Sequence, residues 1–212
     1  GSPYTIGFFG FAYYQENKNR LNPAVLDAVS EELSRAPGRR FKLAANLPYN
    51  VAAPVLTNLL ALDRPPETMT VTVQKELAER LAAAPATKDY GSLSVWVQGQ
   101  CRVEVVRVLP PSVFWPRPKV HSAVVHIASD PGKRRRVPDR GFLHAFLRAM
   151  FLHRRKVLRS ELAAAFHDRL DKADADRILA AQGLDGRLRA EQLSVESLLA
   201  LCEGVRSEIQ AA

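Results

Sequence analysis

Cysteine is almost absent from this chain: Cys101 and Cys202 are the only two in 212 residues. Two distant thiols cannot build a disulfide framework. Each sits among apolar neighbours, so both read as small buried thiols, which suits a reducing cytoplasm. The histidines at 121, 126, 144, 153 and 167 have no ligand spacing with a cysteine, so no metal site is expected. Long apolar runs are missing too. The longest, Val51–Leu62, is short and interrupted, far below the roughly 18 residues that a membrane helix requires. A secretory signal with a basic start and an apolar middle is likewise not found. Internal repeats and low-complexity tracts are absent. What remains is the composition of a globular protein, 47% hydrophobic and 25% charged, long enough to bury a substantial core.

The charge is positive and uneven. Net charge is +8, yet residues 1–128 carry 14 basic and 10 acidic side chains and residues 160–212 carry 6 and 10. The excess sits in residues 129–159, with 10 basic and 2 acidic side chains. This block contains Lys133-Arg134-Arg135-Arg136 and His153-Arg154-Arg155-Lys156 with Arg159. A concentrated basic stripe attracts polyanions, chiefly nucleic acid, through phosphate contacts and counterion release. The first run reads equally as a solvated loop after Asp130-Pro131-Gly132. The second follows Phe142, Phe146, Ala149 and Met150 and precedes Leu158 and Leu162, a spacing that predicts one amphipathic helix from which the cations project.

Residues 1–17 differ from the rest, holding six of the chain's fourteen Phe and Tyr side chains. Asn22-Pro23 then predicts a helix start, with a helix over Ala24–Ser34. Strands are expected at Phe41–Ala45, Met69–Val73, Arg102–Val108 and Val120–Ile127, and helices at Val51–Leu62 and Gln74–Ala84; Leu93–Gln100 suits either. Strand–helix alternation indicates an α/β fold with antiparallel strands towards its end. After Asp130 the pattern is wholly helical, which places a boundary near 129–138.

Two local motifs carry chemistry. Asn46-Leu47-Pro48-Tyr49 follows an apolar strand directly, and the carboxyl ends of strands are where open α/β sheets bind ligands. An Asn amide donates and accepts, so it can read a planar amine of the kind adenine presents. Pro48 biases Leu47 away from helix, leaving its carbonyl free to point outward. Tyr49 offers an aromatic face for a flipped base. A simple strand–turn–helix junction with a capping Asn explains the same four residues. The second motif, Phe114-Trp115-Pro116-Arg117-Pro118-Lys119-Val120-His121-Ser122, is a proline-stiffened loop with two aromatics and two cations. Such a loop can stack a base and hold its phosphate, or it can be a connector that packs its aromatics inward. Ser122, His121, His126, His144, Lys75 and Glu76 read as packing, capping or surface residues.

These motifs in order, with Gln74-Lys75-Glu76, Tyr90-Gly91-Ser92-Leu93-Ser94 and Pro110-Pro111-Ser112-Val113 between them, resemble the bacterial small-subunit rRNA adenine dimethyltransferases. Phe151–Arg159 resembles the first helical element of that family's C-terminal domain. The likeness covers about residues 22–206. It implies a Rossmann-like class I methyltransferase domain followed by a small all-helical domain, with divisions at 1–21, 22–130 and 138–212. It also implies transfer of methyl groups from S-adenosyl-L-methionine to the exocyclic amines of two adjacent adenines. These lie in a 3′-terminal hairpin loop of small-subunit rRNA, within an immature small ribosomal subunit. By the same likeness, Asn46 and the Leu47 carbonyl accept hydrogen bonds from the target amine, in the catalytic stretch Asn46, Leu47, Pro48 and Tyr49, with Asn46 also beside the cofactor. Tyr49 and Phe114 sandwich the base. Arg117, Lys119, Arg154, Arg155, Lys156 and Arg159 hold RNA.

One part of the family pattern has no counterpart. The Gly-x-Gly-x-Gly loop and the acidic residues that meet the cofactor's ribose and adenine are not found. Gly7-Phe8-Phe9-Gly10 has neither their spacing nor a preceding acid. Residues 1–21 therefore read as an atypical leader of foreign character, on a methyltransferase domain without its first strands. An rRNA-binding module without catalysis is the alternative. Bare strand edges in such a sheet predict self-association unless the leader covers them.

Overall fold

The computed structural model describes residues 4–8, 40–153 and 155–211, with the backbone alone for 4–8. The helix expected over Ala24–Ser34 lies outside the described residues. The chain divides into two compact units, one of residues 1–82 and 101–130, the other of residues 83–100 and 131–212.

The first unit is built on five strands: β1 Tyr4–Phe8, β2 Phe41–Asn46, β3 Thr68–Gln74, β4 Cys101–Leu109 and β5 Ser122–Ser129. Their order across the sheet is β1-β2-β3-β5-β4. The first three run parallel, with Ile6 opposite Leu43 and Ala45 opposite Val71. β5 is antiparallel to β3 and to β4. Thr68-Met-Thr-Val-Thr-Val-Gln74 shows why this segment is a strand. Its β-branched residues favour the extended backbone, and strict alternation puts Met69, Val71 and Val73 into the core. They meet Ala123, Val125 and Ile127 of β5, which are fully buried. β1 comes from the aromatic leader and lies along β2, so the expected bare edge of β2 is paired.

Among its described residues the unit also has the helices α1 Ala52–Ala61 and α2 Lys75–Leu81. In α1, Ala52, Leu56, Leu59 and Leu60 recur at helical spacing and are buried. α2 follows β3 without a spacer, and Lys75 N donates to His121 O at 3.0 Å.

The second unit is helical. It contains α3 Ser92–Gln98, α4 Pro131–Arg135, α5 Arg140–Met150, α6 Leu158–Ala165, α7 Lys172–Ala181 and α8 Val195–Ala211. The ambiguous segment at 93–100 is thus mostly helix. Asp139 caps α5 by accepting from Phe142 N at 2.8 Å, and Asp171 with Asp174 forms a reciprocal box at the start of α7. Leu143, Phe146, Leu147, Leu158, Leu162 and Leu198 make the core. Phe146 stacks on Phe166 with ring centroids 6.2 Å apart. Trp96 meets His144 edge-on at 5.2 Å, and burial lowers the His144 pKa. Tyr90 is buried and donates to Leu193 O at 3.0 Å. Burial, and after it the Glu196 carboxylate, hold its phenol protonated well above the usual range.

Both cysteines are buried and free. Among the described residues no group of His, Cys, Asp or Glu side chains could hold a metal ion, and no helix is long and apolar enough to cross a membrane.

Candidate active site and nucleic-acid interface

Register places the first site. Asn46 ends β2 opposite Thr72, Gln74 ends β3 opposite Ser122, and Ser122 also faces Leu109, the last residue of β4. Residues 46–50, the start of α2 and the loop 110–121 therefore emerge at one end of one sheet, the carboxyl end of its parallel strands. This is where α/β folds take their ligands.

The Asn46–Tyr49 turn is built by its backbone. Leu47 N continues the ladder by donating to Thr72 O at 3.1 Å, and Pro48 O accepts from both Val51 N and Ala52 N at 3.1 Å. The Leu47 side chain is buried and anchors the turn, whereas Asn46 and Pro48 are exposed. Among the described residues, neither the Asn46 amide nor the Leu47 carbonyl has a hydrogen-bond partner. Adjacent residues thus carry two acceptors, chemistry that suits a donor with two hydrogens such as a primary aromatic amine. Tyr49 is half-buried, and its hydroxyl lies 2.8 Å from Ser122 Oγ. Ser122 is fully buried and ties the turn to the far end of the aromatic loop. In the sequence Ser122 reads as a turn or capping residue. Its signal there is a hydroxyl just ahead of the apolar run Ala123–Val125.

The loop itself begins with a 3-10 turn over Pro111–Val113, in which Phe114 N donates to Pro111 O at 3.3 Å. Phe114 is half-buried and extended, at φ −114° and ψ 148°. Arg117 and Lys119 are exposed, and neither has an ion-pair partner among the described residues.

The second unit holds the basic residues, and their setting corrects the expected single helix. α5 ends at Met150 and α6 begins at Leu158, and the described residues between them, 151–153 and 155–157, are not helical. Lys156 N donates to His153 O at 2.9 Å, and Val157 is extended. The apolar spacing was real on each side of this stretch, but periodicity alone does not register a break between two segments that feed one core. Arg154 lies outside the described residues. Arg155 and Lys156 are exposed. Arg159 is on α6 and donates to Asp176 through Nε at 2.5 Å and Nη2 at 2.7 Å, so its charge is already paired. The buried Glu161 carboxylate lies 2.9 Å from His153 Nδ1 and 3.9 Å from Lys156 Nζ. In the other run, Lys133 donates to Gln98 O at 2.8 Å and Arg134 to Gln100 Oε1 at 2.6 Å. Those two cations are structural, and Arg135 and Arg136 are left exposed.

A mixed sheet of this order with a helical unit defines an α/β methyltransferase fold. Two solved structures share it: a dimethyladenosine transferase from Plasmodium falciparum (TM-score 0.66, 18% identity, 88% of this chain and 80% of that one) and the 23S rRNA methyltransferase ErmE (0.54, 19%, 87% and 79%). The family model described as ribosomal RNA adenine dimethylase matches residues 9–203, and the chain belongs to that family. The match begins inside the leader. Among curated relatives, ribosomal RNA small subunit methyltransferase A of Halothermothrix orenii is 40% identical over 163 residues, 77% of this chain and 54% of the relative. Its namesake in Bacillus mycoides is 38% identical over 186 residues, 87% of this chain and 63% of the relative. The chain thus spans somewhat over half the length of these relatives.

Proposed function

We propose that this protein dimethylates the exocyclic amines of two adjacent adenines in a 3′-terminal hairpin loop of small-subunit rRNA. The substrate is an immature small ribosomal subunit in the cytoplasm, and S-adenosyl-L-methionine is the cofactor. The observation that carries this reading is a pair of acceptors at the carboxyl end of β2, the Asn46 amide and the Leu47 carbonyl, that have no partner among the described residues.

The acceptor pair fits a methyl donor's partner amine. When bound, S-adenosyl-L-methionine supplies an electrophilic methyl. The Gly-x-Gly-x-Gly loop that would meet it in the family has no counterpart in this sequence. Asn46 Oδ1 and Leu47 O accept the two amine hydrogens. This holds the nitrogen lone pair out of conjugation with the ring, where it is nucleophilic. Asn46, next to the cofactor, aims that lone pair. The amine's proton becomes acidic once the nitrogen is alkylated, so no strong base is required. Tyr49, steadied by Ser122, and Phe114 enclose the flipped base, which pays part of the unstacking cost. Arg117 and Lys119 hold phosphates beside the base, and Arg154, Arg155 and Lys156 grip the RNA from the second unit.

Incubation with S-adenosyl-L-methionine and the rRNA hairpin, followed by nucleoside mass spectrometry, should reveal N6,N6-dimethyladenosine. Asn46→Ala should remove it while RNA affinity is kept. RNA binding with no saturable cofactor binding by calorimetry would instead establish a non-catalytic rRNA-binding module.

A further inference from the structure

Taking the protein as an rRNA adenine dimethyltransferase, we propose that Trp115 stacks on a second nucleobase of the single-stranded loop, distinct from the target adenine. It thereby helps select unpaired RNA.

Trp115 is 96% exposed, far more than any other large apolar side chain described. Phe114 before it is half-buried, whereas the indole stands almost wholly in solvent. The two rings thus sit in different surroundings, and a base enclosed at Phe114 leaves the indole free to serve another nucleotide.

The chemistry around Trp115 selects a nucleic acid over an apolar protein surface. No acidic residue occurs between Glu104 and Asp130, and Arg107, Arg117 and Lys119 are exposed within that stretch. An aromatic platform flanked by cations is the arrangement that holds single strands, with bases stacked on the ring and phosphates on the charges. Pro110, Pro111, Pro116 and Pro118 restrict the backbone. The 3-10 turn fixes one end of the loop and the Tyr49–Ser122 contact fixes the other. The ring is therefore presented with little ordering left to accomplish on binding.

The chain has two tryptophans, and Trp96 is buried against His144. The difference in emission between the wild-type chain and Trp115→Phe therefore isolates Trp115. The probe is a labelled RNA hairpin carrying the small-subunit 3′-terminal loop, with a fully paired duplex of equal charge as control. Trp115 emission should be quenched by the hairpin at the same midpoint as the anisotropy rise, and not by the duplex. Trp115→Ala should weaken hairpin binding by about five- to a hundred-fold, with an unchanged salt slope and an unchanged circular dichroism spectrum. Trp115→Tyr should restore most of the affinity. Hairpin binding that leaves the emission unaltered and is equal in Trp115→Ala overturns the stacking role and leaves the enzymatic reading intact. Failure of the wild-type chain to bind the hairpin overturns the stacking role; binding with quenching but without methylation overturns the enzymatic reading alone.

Discussion

The Tyr49 hydroxyl meets Ser122 Oγ at 2.8 Å across 73 positions of chain. This bond joins the turn after one strand to the first residue of another. Ser122 is fully buried, so its hydroxyl has no access to water in compensation. Ser122→Ala and Tyr49→Phe should each cost about 1 kcal/mol of stability, the usual net value of such a bond. The double variant should cost little more than either single one, because both remove the same interaction. Urea unfolding of the four proteins measures this; additive losses would show that the two hydroxyls act separately.

Cations between α5 and α6 should behave differently from the paired one on α6. Arg155→Ala should lower rRNA affinity and reduce the salt slope by about one, and Lys156→Ala should reduce it by less, because Glu161 lies 3.9 Å from that ammonium. Arg159→Ala should leave the slope nearly unchanged, since Asp176 already neutralises that guanidinium. Filter binding across a salt series distinguishes the three. A slope change for Arg159→Ala as large as for Arg155→Ala would refute the division.

Burial pushes the Cys202 thiol up to about 12, with Glu203 adding to the effect. The folded state then holds a proton that the unfolded chain loses near pH 9, the ordinary value. Stability from this group is complete below pH 9 and declines as pH rises towards 12, with a limiting slope of about 1.4 kcal/mol per pH unit. Denaturant midpoints measured from pH 8 to 10.5 should fall more steeply for the wild type than for Cys202→Ser.

His144 runs the other way. Its pKa is lowered by burial and then by Arg148, so the unfolded chain takes up the proton first as pH falls. Its contribution is complete above about pH 6.5 and is lost on acidification. His144→Gln should flatten the stability profile between pH 7 and 5, read by thermal unfolding.

Phe146 is fully buried and stacked on Phe166. Phe146→Ala should destabilise the helical unit by about 3–5 kcal/mol through lost burial and a residual cavity. Loss of near-ultraviolet ellipticity at a lower temperature than in the wild type reports it.

Much of the architecture is written locally. Alternation in Thr68–Gln74 and Ser122–Ser129 and the recurrence of Leu56, Leu59 and Leu60 specify strand and helix, because burying one face is enough to choose the period. Asn46-Leu47-Pro48-Tyr49 is equally legible, since proline and the strand before it fix the turn. Partnership across the chain is another matter. Nothing near Ser122 announces Tyr49, and the contact exists only because β5 pairs beside β3. Nor do His153, Arg155 and Lys156 announce that they lie outside a helix. Leu158 and Leu162 pack into the same core as Phe146 from a separate helix, and like-charged neighbours read the same on a helix or a bend. The chain order of charges placed the basic block at residues 129–159, where a polyanion is expected to be drawn. Which cations are free to meet it was decided by tertiary pairing: Asp176 takes Arg159, Gln98 and Gln100 take Lys133 and Arg134, and the exposed remainder is left for solvent or ligand.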